Sequence, residues 1–287
     1  MMRALWGAWL YALVAGDLPR ARRLAEEMQS IAETVGDRRL RVEGLLALSI
    51  TEFWMCDLAE ADAHRDEALV IYDRLGAEAF ASHLLLFGQD PKVIALCYRG
   101  FHKWVTGEPV ESRRATVASI RHAETIGHPF TIGWAYCFAA NAFWWRGEYG
   151  AGRRIGAKAV EYCERQVFPL WSTAAQIGQG ASAAALAQGE ARVAAARAAS
   201  EGLEGYMMTG ARTVVPTACL QAASAWRLAG DLGLARRWIE EGVRIAGETG
   251  EVVSGLRAAV HLARLMPAEG AEPAEVETAL RNGSAAA

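Results

Sequence analysis

Of the 30 basic residues in this 287-residue chain only three are lysines, prolines number eight, and no two of the five cysteines stand closer than 26 positions. Each scarcity excludes something. Without a CxxC or a Cys/His pair at ligand spacing there is no zinc framework, and Cys56, Cys97, Cys137, Cys163 and Cys219 read as small apolar packing residues of a reducing compartment. The six histidines never pair at i,i+4 and no H-E-x-x-H occurs, so no metal site is expected. Charge of one sign is missing too: 30 Lys and Arg against 33 Asp and Glu leave −3, which offers no global pull toward nucleic acid or anionic lipid. The arginines at 20, 22, 23, 38, 39 and 41 are offset by Glu26, Glu27, Glu33 and Asp37. The uncharged run 129–145 approaches span length but is interrupted by Gly133 and Asn141, and suits a helix buried among helices better than a membrane span. The apolar N-terminal run passes into Gly16-Asp17-Leu18 without a small-residue cleavage pattern, so a cytoplasmic protein is expected.

Catalytic signatures are equally scarce. No G-x-x-x-x-G-K-[ST] phosphate loop is present, and the glycines from Gly150 to Gly156 lack the G-x-G-x-x-G spacing and do not follow a strand. Glu26-Glu27 and Glu240-Glu241 lie among Arg22, Arg23 and Arg237 as salt-bridged helix faces would. Gly178-Gln179-Gly180-Ala181-Ser182 misses the G-x-S-x-G nucleophile pattern. The expectation is a chain that is not an enzyme and needs no cofactor.

What the sequence does contain is a repeat. Gly-acidic-x followed by a small residue recurs as Gly16-Asp17-Leu18 with Ala21, Gly147-Glu148-Tyr149 with Gly152, Gly189-Glu190-Ala191 with Ala194, and Gly230-Asp231-Leu232 with Ala235. Cys56-Asp57-Leu58 with Ala61 and Gly107-Glu108-Pro109 with Ser112 fit the frame less well. Successive turns lie 40, 51, 40, 42 and 41 residues apart, with extra chain between 77 and 90. Seven residues before five of the turns stand Ser49, Gly100, Ala140, Ser182 and Ala223. Small residues at one fixed place on each arm are what two closely approaching antiparallel helices need. The pattern predicts first arms over 2–14, 38–53, 91–105, 129–146, 169–187 and 212–228, a seventh over 251–266, and no strands. One continuous array follows, with repeats over 2–36, 38–76, 91–127, 129–168, 169–210, 211–250 and 251–283.

Glycine, an aromatic residue or Leu two on, and alanine five on resemble the tetratricopeptide repeat, lengthened to about 40 residues. Leu86-Phe87-Gly88-Gln89-Asp90-Pro91, Gly127-His128-Pro129-Phe130 and Phe168-Pro169-Leu170-Trp171 are similar to the repeat region C-terminal to a class III nucleotide cyclase domain and a STAND-type predicted ATPase in large bacterial signalling proteins. The resemblance implies an all-α, right-handed solenoid of tetratricopeptide-like hairpins, non-catalytic in itself, acting as an interaction and regulatory module. The departures, Cys56 for glycine and Pro109 for an aromatic residue, bear on how tight those two turns are.

If the first arms line the inner face, the positions 2, 3, 6, 10 and 13 residues before each turn point inward. The candidate binding residues are then Phe101, Trp104, Trp134, Asn141, Trp144, Trp145, Gln176 and Gln179, an apolar belt with amides for orientation, whose occupant would be a peptide or partner surface. The same spacing suits inter-repeat core. A small-molecule sensor is the alternative function. The first arm, with Leu5, Trp6, Trp9, Leu10, Tyr11, Leu13 and Val14, is too apolar for a terminal cap, so an upstream repeat or domain of a parent chain, or self-association, is expected to cover it, while the polar stretch from Ala268 reads as an end. Neither nucleic acid nor membrane is expected as a partner.

Overall fold

The computed structural model describes residues 1–285, and every regular element among them is helical. Antiparallel hairpins follow one another: α1 (Met2–Ala15) with α2 (Leu18–Val35), and α3 (Arg38–Met55) with α4 (Leu58–Leu75). A single 3-10 turn then leads into the short α5 (Ala81–Phe87). The series resumes with α6 (Pro91–Val105) and α7 (Pro109–Ile126), α8 (Pro129–Trp145) and α9 (Tyr149–Arg165), then α10 (Pro169–Leu186) and α11 (Gly189–Met208). It closes with α12 (Val215–Ala229) and α13 (Leu232–Thr249), then α14 (Val253–Leu265) and α15 (Pro273–Ala285). Each helix packs on its hairpin partner and on the next hairpin, which makes an all-α helical-repeat solenoid. No helix among the described residues is long and apolar enough to cross a membrane.

The small residues do what their spacing requires. Ser49 Oγ donates to the Ala61 carbonyl at 2.7 Å and Ser112 Oγ to that of Gly100 at 2.6 Å, in each case joining positions twelve apart across a hairpin. A Cβ on Gly152 would meet the Ala140 carbonyl, again twelve away, at 3.4 Å. Side-chain acceptors on Asp17, Asp37, Asp90, His128 and Asp231 cap the next helix. Cys56 takes the left-handed conformation (φ 67°) in place of glycine, and the turn closes as its siblings do, with Asp57 N–H on the Glu52 carbonyl at 2.9 Å. Pro109 costs its turn nothing because it stands at the first position of α7, where no N–H is needed. The fifth turn differs: α10 ends at Leu186, Ala187 is extended, and Gly189 opens α11.

Among the described residues Val167, between α9 and α10, is the other non-glycine residue in the left-handed region (φ 58°), with its β-branched side chain 81% exposed. Strain without compensating burial makes this turn improvable. Val167→Gly is expected to raise unfolding free energy by about 1 kcal/mol; a lower urea midpoint would contradict it.

The array curls until its ends meet. Arg212 N–H donates to the Val14 carbonyl at 2.7 Å, Thr213 Oγ1 donates to that of Leu13, and Val252 N–H to that of Trp54 at 3.0 Å. The sixth unit thus joins the first, and the seventh the second. This closure covers α1 from within the chain: Trp9 is buried with its Nε1 on Thr51 Oγ1 at 3.0 Å, and Trp6 packs on Phe87 of α5 with ring centroids 5.6 Å apart. Part of the cover expected for the first arm is thus supplied within the chain, by α3, α5 and the Arg212–Thr213 segment ahead of α12. Of its apolar residues Tyr11 is left 69% exposed.

Candidate functional site

Closure decides what the inward-pointing side chains meet. Phe101, Trp134, Trp144 and Trp145 are only 5–6% exposed. Rings follow one another along the interior from Trp171, tilted on Trp134 (4.8 Å between centroids), to a stacked series through Phe138 (5.3 Å), Phe101 (5.1 Å) and Trp145 (4.6 Å). Where an open groove was expected, α6, α8 and α10 therefore present an aromatic ladder roofed by α1, α12 and α14. Asn141 is part-buried, donating to the Cys137 carbonyl and accepting from Gln221 Nε2, both at 2.8 Å, and so ties the fourth unit to the sixth. Gln176 and Gln179 sit over Gly202 and Gly156, on helix–helix contacts rather than on the interior. A residual apolar cavity of about 120 Å³ lies between Trp54, Tyr98, Trp134, Trp171 and Val214.

Trp104, Trp144 and Trp145 come together differently. They line a partly open pocket of about 380 Å³ at the rim where α6 and α8 end, and the opposite wall is Arg257, His261 and Arg264 of α14. Arg257 lies over the Trp145 ring, 4.1 Å from guanidinium carbon to ring centre, and His261 stacks on Trp144 at 6.4 Å and 18°. Arg146 completes the floor. Its Nε is held by Glu148 at 2.7 Å and its Nη1 by Ser112 Oγ at 2.8 Å, while its Nη2 has no acceptor in the protein. Trp145 Nε1 and Arg257 Nη1 likewise lack acceptors. Among the described residues no carboxylate lines this pocket.

The α14 wall was missed in the sequence because no turn follows it to fix an inward register. One signal was available: Arg257, His261 and Arg264 recur at i, i+4 and i+7, one face of an arm whose inner face ought to be apolar. The surroundings hold the histidine neutral. Burial first, and then the charges of Arg257, Arg264 and Arg227, push its pKa down to about 3. Unfolded, His261 would titrate near 6.5, so below that pH the unfolded chain binds the extra proton and stability falls with acid. Wild type should lose about 2–3 kcal/mol more than His261→Phe between pH 7 and pH 4.5. Parallel urea titrations would show the two acid limbs diverging; superimposable limbs would exclude this environment for His261.

No family model matches the sequence, and no curated protein matches it. Among solved structures the chain is similar to a Rap protein complexed with competence and sporulation factor: TM-score 0.71, 14% identity, covering 98% of this chain and 74% of that one. At that identity the likeness is one of fold. It establishes a tetratricopeptide-like helical-repeat architecture. No group of three or more His, Cys, Asp or Glu among the described residues is placed to hold a metal.

Proposed function

We propose that the chain is a non-catalytic binding and regulatory module, whose ligand or partner engages the mouth of the closed superhelix. The observation that carries this is the pocket at that mouth, where Trp104, Trp144 and Trp145 from two central units meet the last unit of the array. An occupant there touches both sides of the closure, and its binding energy is linked to whether the array is closed. A peptide or protein partner is the first reading, supported by the Rap protein's complex with a factor on the same fold. A small-molecule sensor is the second, favoured by a pocket of about 380 Å³, the size of small-ligand sites. In either case the parent context would be a signalling protein of the cyclase or STAND type, with output from domains outside this chain.

Immobilised wild type and Trp104→Ala, exposed to the same lysate and metabolite extract, test the proposal by mass spectrometry of what each retains. A species held by wild type and lost by the variant, whose binding slows hydrogen exchange of the Arg212 and Val252 amides at the closure, is the expected result. Identical retention by both proteins, or nucleotide turnover by the chain alone, would overturn it.

A further inference from the structure

The mouth pocket carries more positive charge than the protein itself uses. Arg146 has a carboxylate partner in Glu148, but neither Arg257 nor Arg264 has an ion-pair partner among the described residues. Arg227 stands near enough for its charge to be felt at both Arg264 and His261. Glu251 is the carboxylate whose field reaches Arg257, beyond ion-pair distance, and its own pKa is pushed up to about 7 by burial. The ends of α6 and α8 place their carbonyls at the same rim. Their partial charges, roughly half a unit each, offset about one of these three arginines. Two guanidinium charges remain without a counterion beside the buried His261.

Like charges held together around a partly enclosed pocket are costly unless something of opposite sign completes the set. The orphaned donors fit that reading. Trp145 Nε1 and Arg146 Nη2 belong to side chains more than nine-tenths buried, and with Arg257 Nη1 they form a set of donors without acceptors around one pocket. Native proteins leave few such groups. Opposite this polar wall Trp104 and Trp144 present apolar faces, so the pocket is chemically two-sided.

We infer that this pocket binds the phosphate group of a small phosphorylated molecule, with the arginines of α14 and the fourth unit on the dianion and the body of the ligand against Trp104 and Trp144. A dianion is favoured over a carboxylate because two charges, not one, are left uncompensated, and because guanidinium forks match phosphate oxygens in geometry. The inference rests on the sensor reading and names its ligand class.

The test uses the whole chain in phosphate-free buffer, with phenyl phosphate, inorganic phosphate and benzoate as probes, read by tryptophan fluorescence and by thermal shift. Phenyl phosphate should bind at least about tenfold tighter than inorganic phosphate, since only it can use the aromatic wall, and benzoate should bind weakest. Arg264 is exposed, so Arg264→Gln should melt as wild type does without ligand yet lose about tenfold in affinity for both phosphates. Trp104→Ala should weaken phenyl phosphate and leave inorganic phosphate unchanged. The inference is overturned if neither phosphate binds at millimolar concentration, if Arg264→Gln binds normally, or if benzoate matches phenyl phosphate. Failure here alongside Trp104-dependent capture from lysate would remove the phosphate site and leave the module reading standing. Phosphate binding with Trp104-independent capture would do the reverse.

Discussion

Gly180→Ala is expected to cost about 3 kcal/mol, and Gly180→Leu to yield no folded protein. A Cβ at this position would lie 2.6 Å from Ala199 N and 2.9 Å from both the Ala195 carbonyl oxygen and Ala199 Cα. All three obstacles are backbone atoms of α11, so no side-chain rotation relieves them. The α10–α11 pair must separate, and its neighbours in α8 and α12 must follow, since α10 packs on both. Gly152 is a softer case, because there the nearest obstacle, at 2.5 Å, is the Ser182 hydroxyl, which can turn away. Gly7 is the control: it is exposed, helical, and a Cβ would meet nothing within 4 Å. Gly7→Ala should therefore stabilise by about 0.5–1 kcal/mol through helix propensity alone. Urea unfolding of the three variants checks the ordering. A Gly180→Ala protein as stable as wild type would mean that α10 and α11 are not in backbone contact.

The hairpins were legible because close approach leaves a local trace. Ser49 with Ala61, Gly100 with Ser112 and Ala140 with Gly152 are small for a reason that lies within forty residues of chain, and a repeat search finds them. Closure leaves no such trace. Whether the sixth unit reaches the first depends on small rotations accumulated over every intervening repeat, which no single window of sequence encodes. Hence Phe101 and Trp134, inward by register, became ladder instead of groove, and α1 found its cover in Thr51, Phe87 and Thr213. Gln176 and Gln179 lie elsewhere for a different reason. Gly202 and Gly156 open space for them on the helix contacts, a pairing visible only once the helices are placed. Register alone pointed Trp104, Trp144 and Trp145 inward, whereas Arg257, His261 and Arg264, which face them across the pocket, were not sought on an inner face.

The extra chain between the second and third units holds the other large effect. It forms α5, and α5 is fastened by a buried polar pair: His83 Nδ1 lies 2.9 Å from Glu43 Oε1 of α3, with Glu43 only 1% and His83 2% exposed. Phe80 and Phe87 flank the imidazole at 5.3 and 5.0 Å, and Glu43 Oε2 has no partner. Burial raises the Glu43 pKa, and the histidine partly opposes that. Removing the histidine leaves a carboxylate in an apolar site with neither oxygen paired, so His83→Ala should lose about 3–5 kcal/mol at pH 7. A carboxyl whose folded pKa is raised weakens the fold increasingly from its unfolded pKa up to its folded one, and that penalty shrinks again as acid returns the proton to the unfolded chain. The variant should therefore regain stability, relative to wild type, as pH falls from 7 toward 5. If α5 merely detaches, the loss is local, and limited proteolysis would cut within 77–90 while the remaining hairpins resist. Replacing both members, Glu43→Leu with His83→Phe, should restore most of the loss, since an apolar pair needs no hydrogen bond. A His83→Ala protein within about 1 kcal/mol of wild type at both pH values, with an uncut 77–90 segment, would show that the pair does not hold α5 in place.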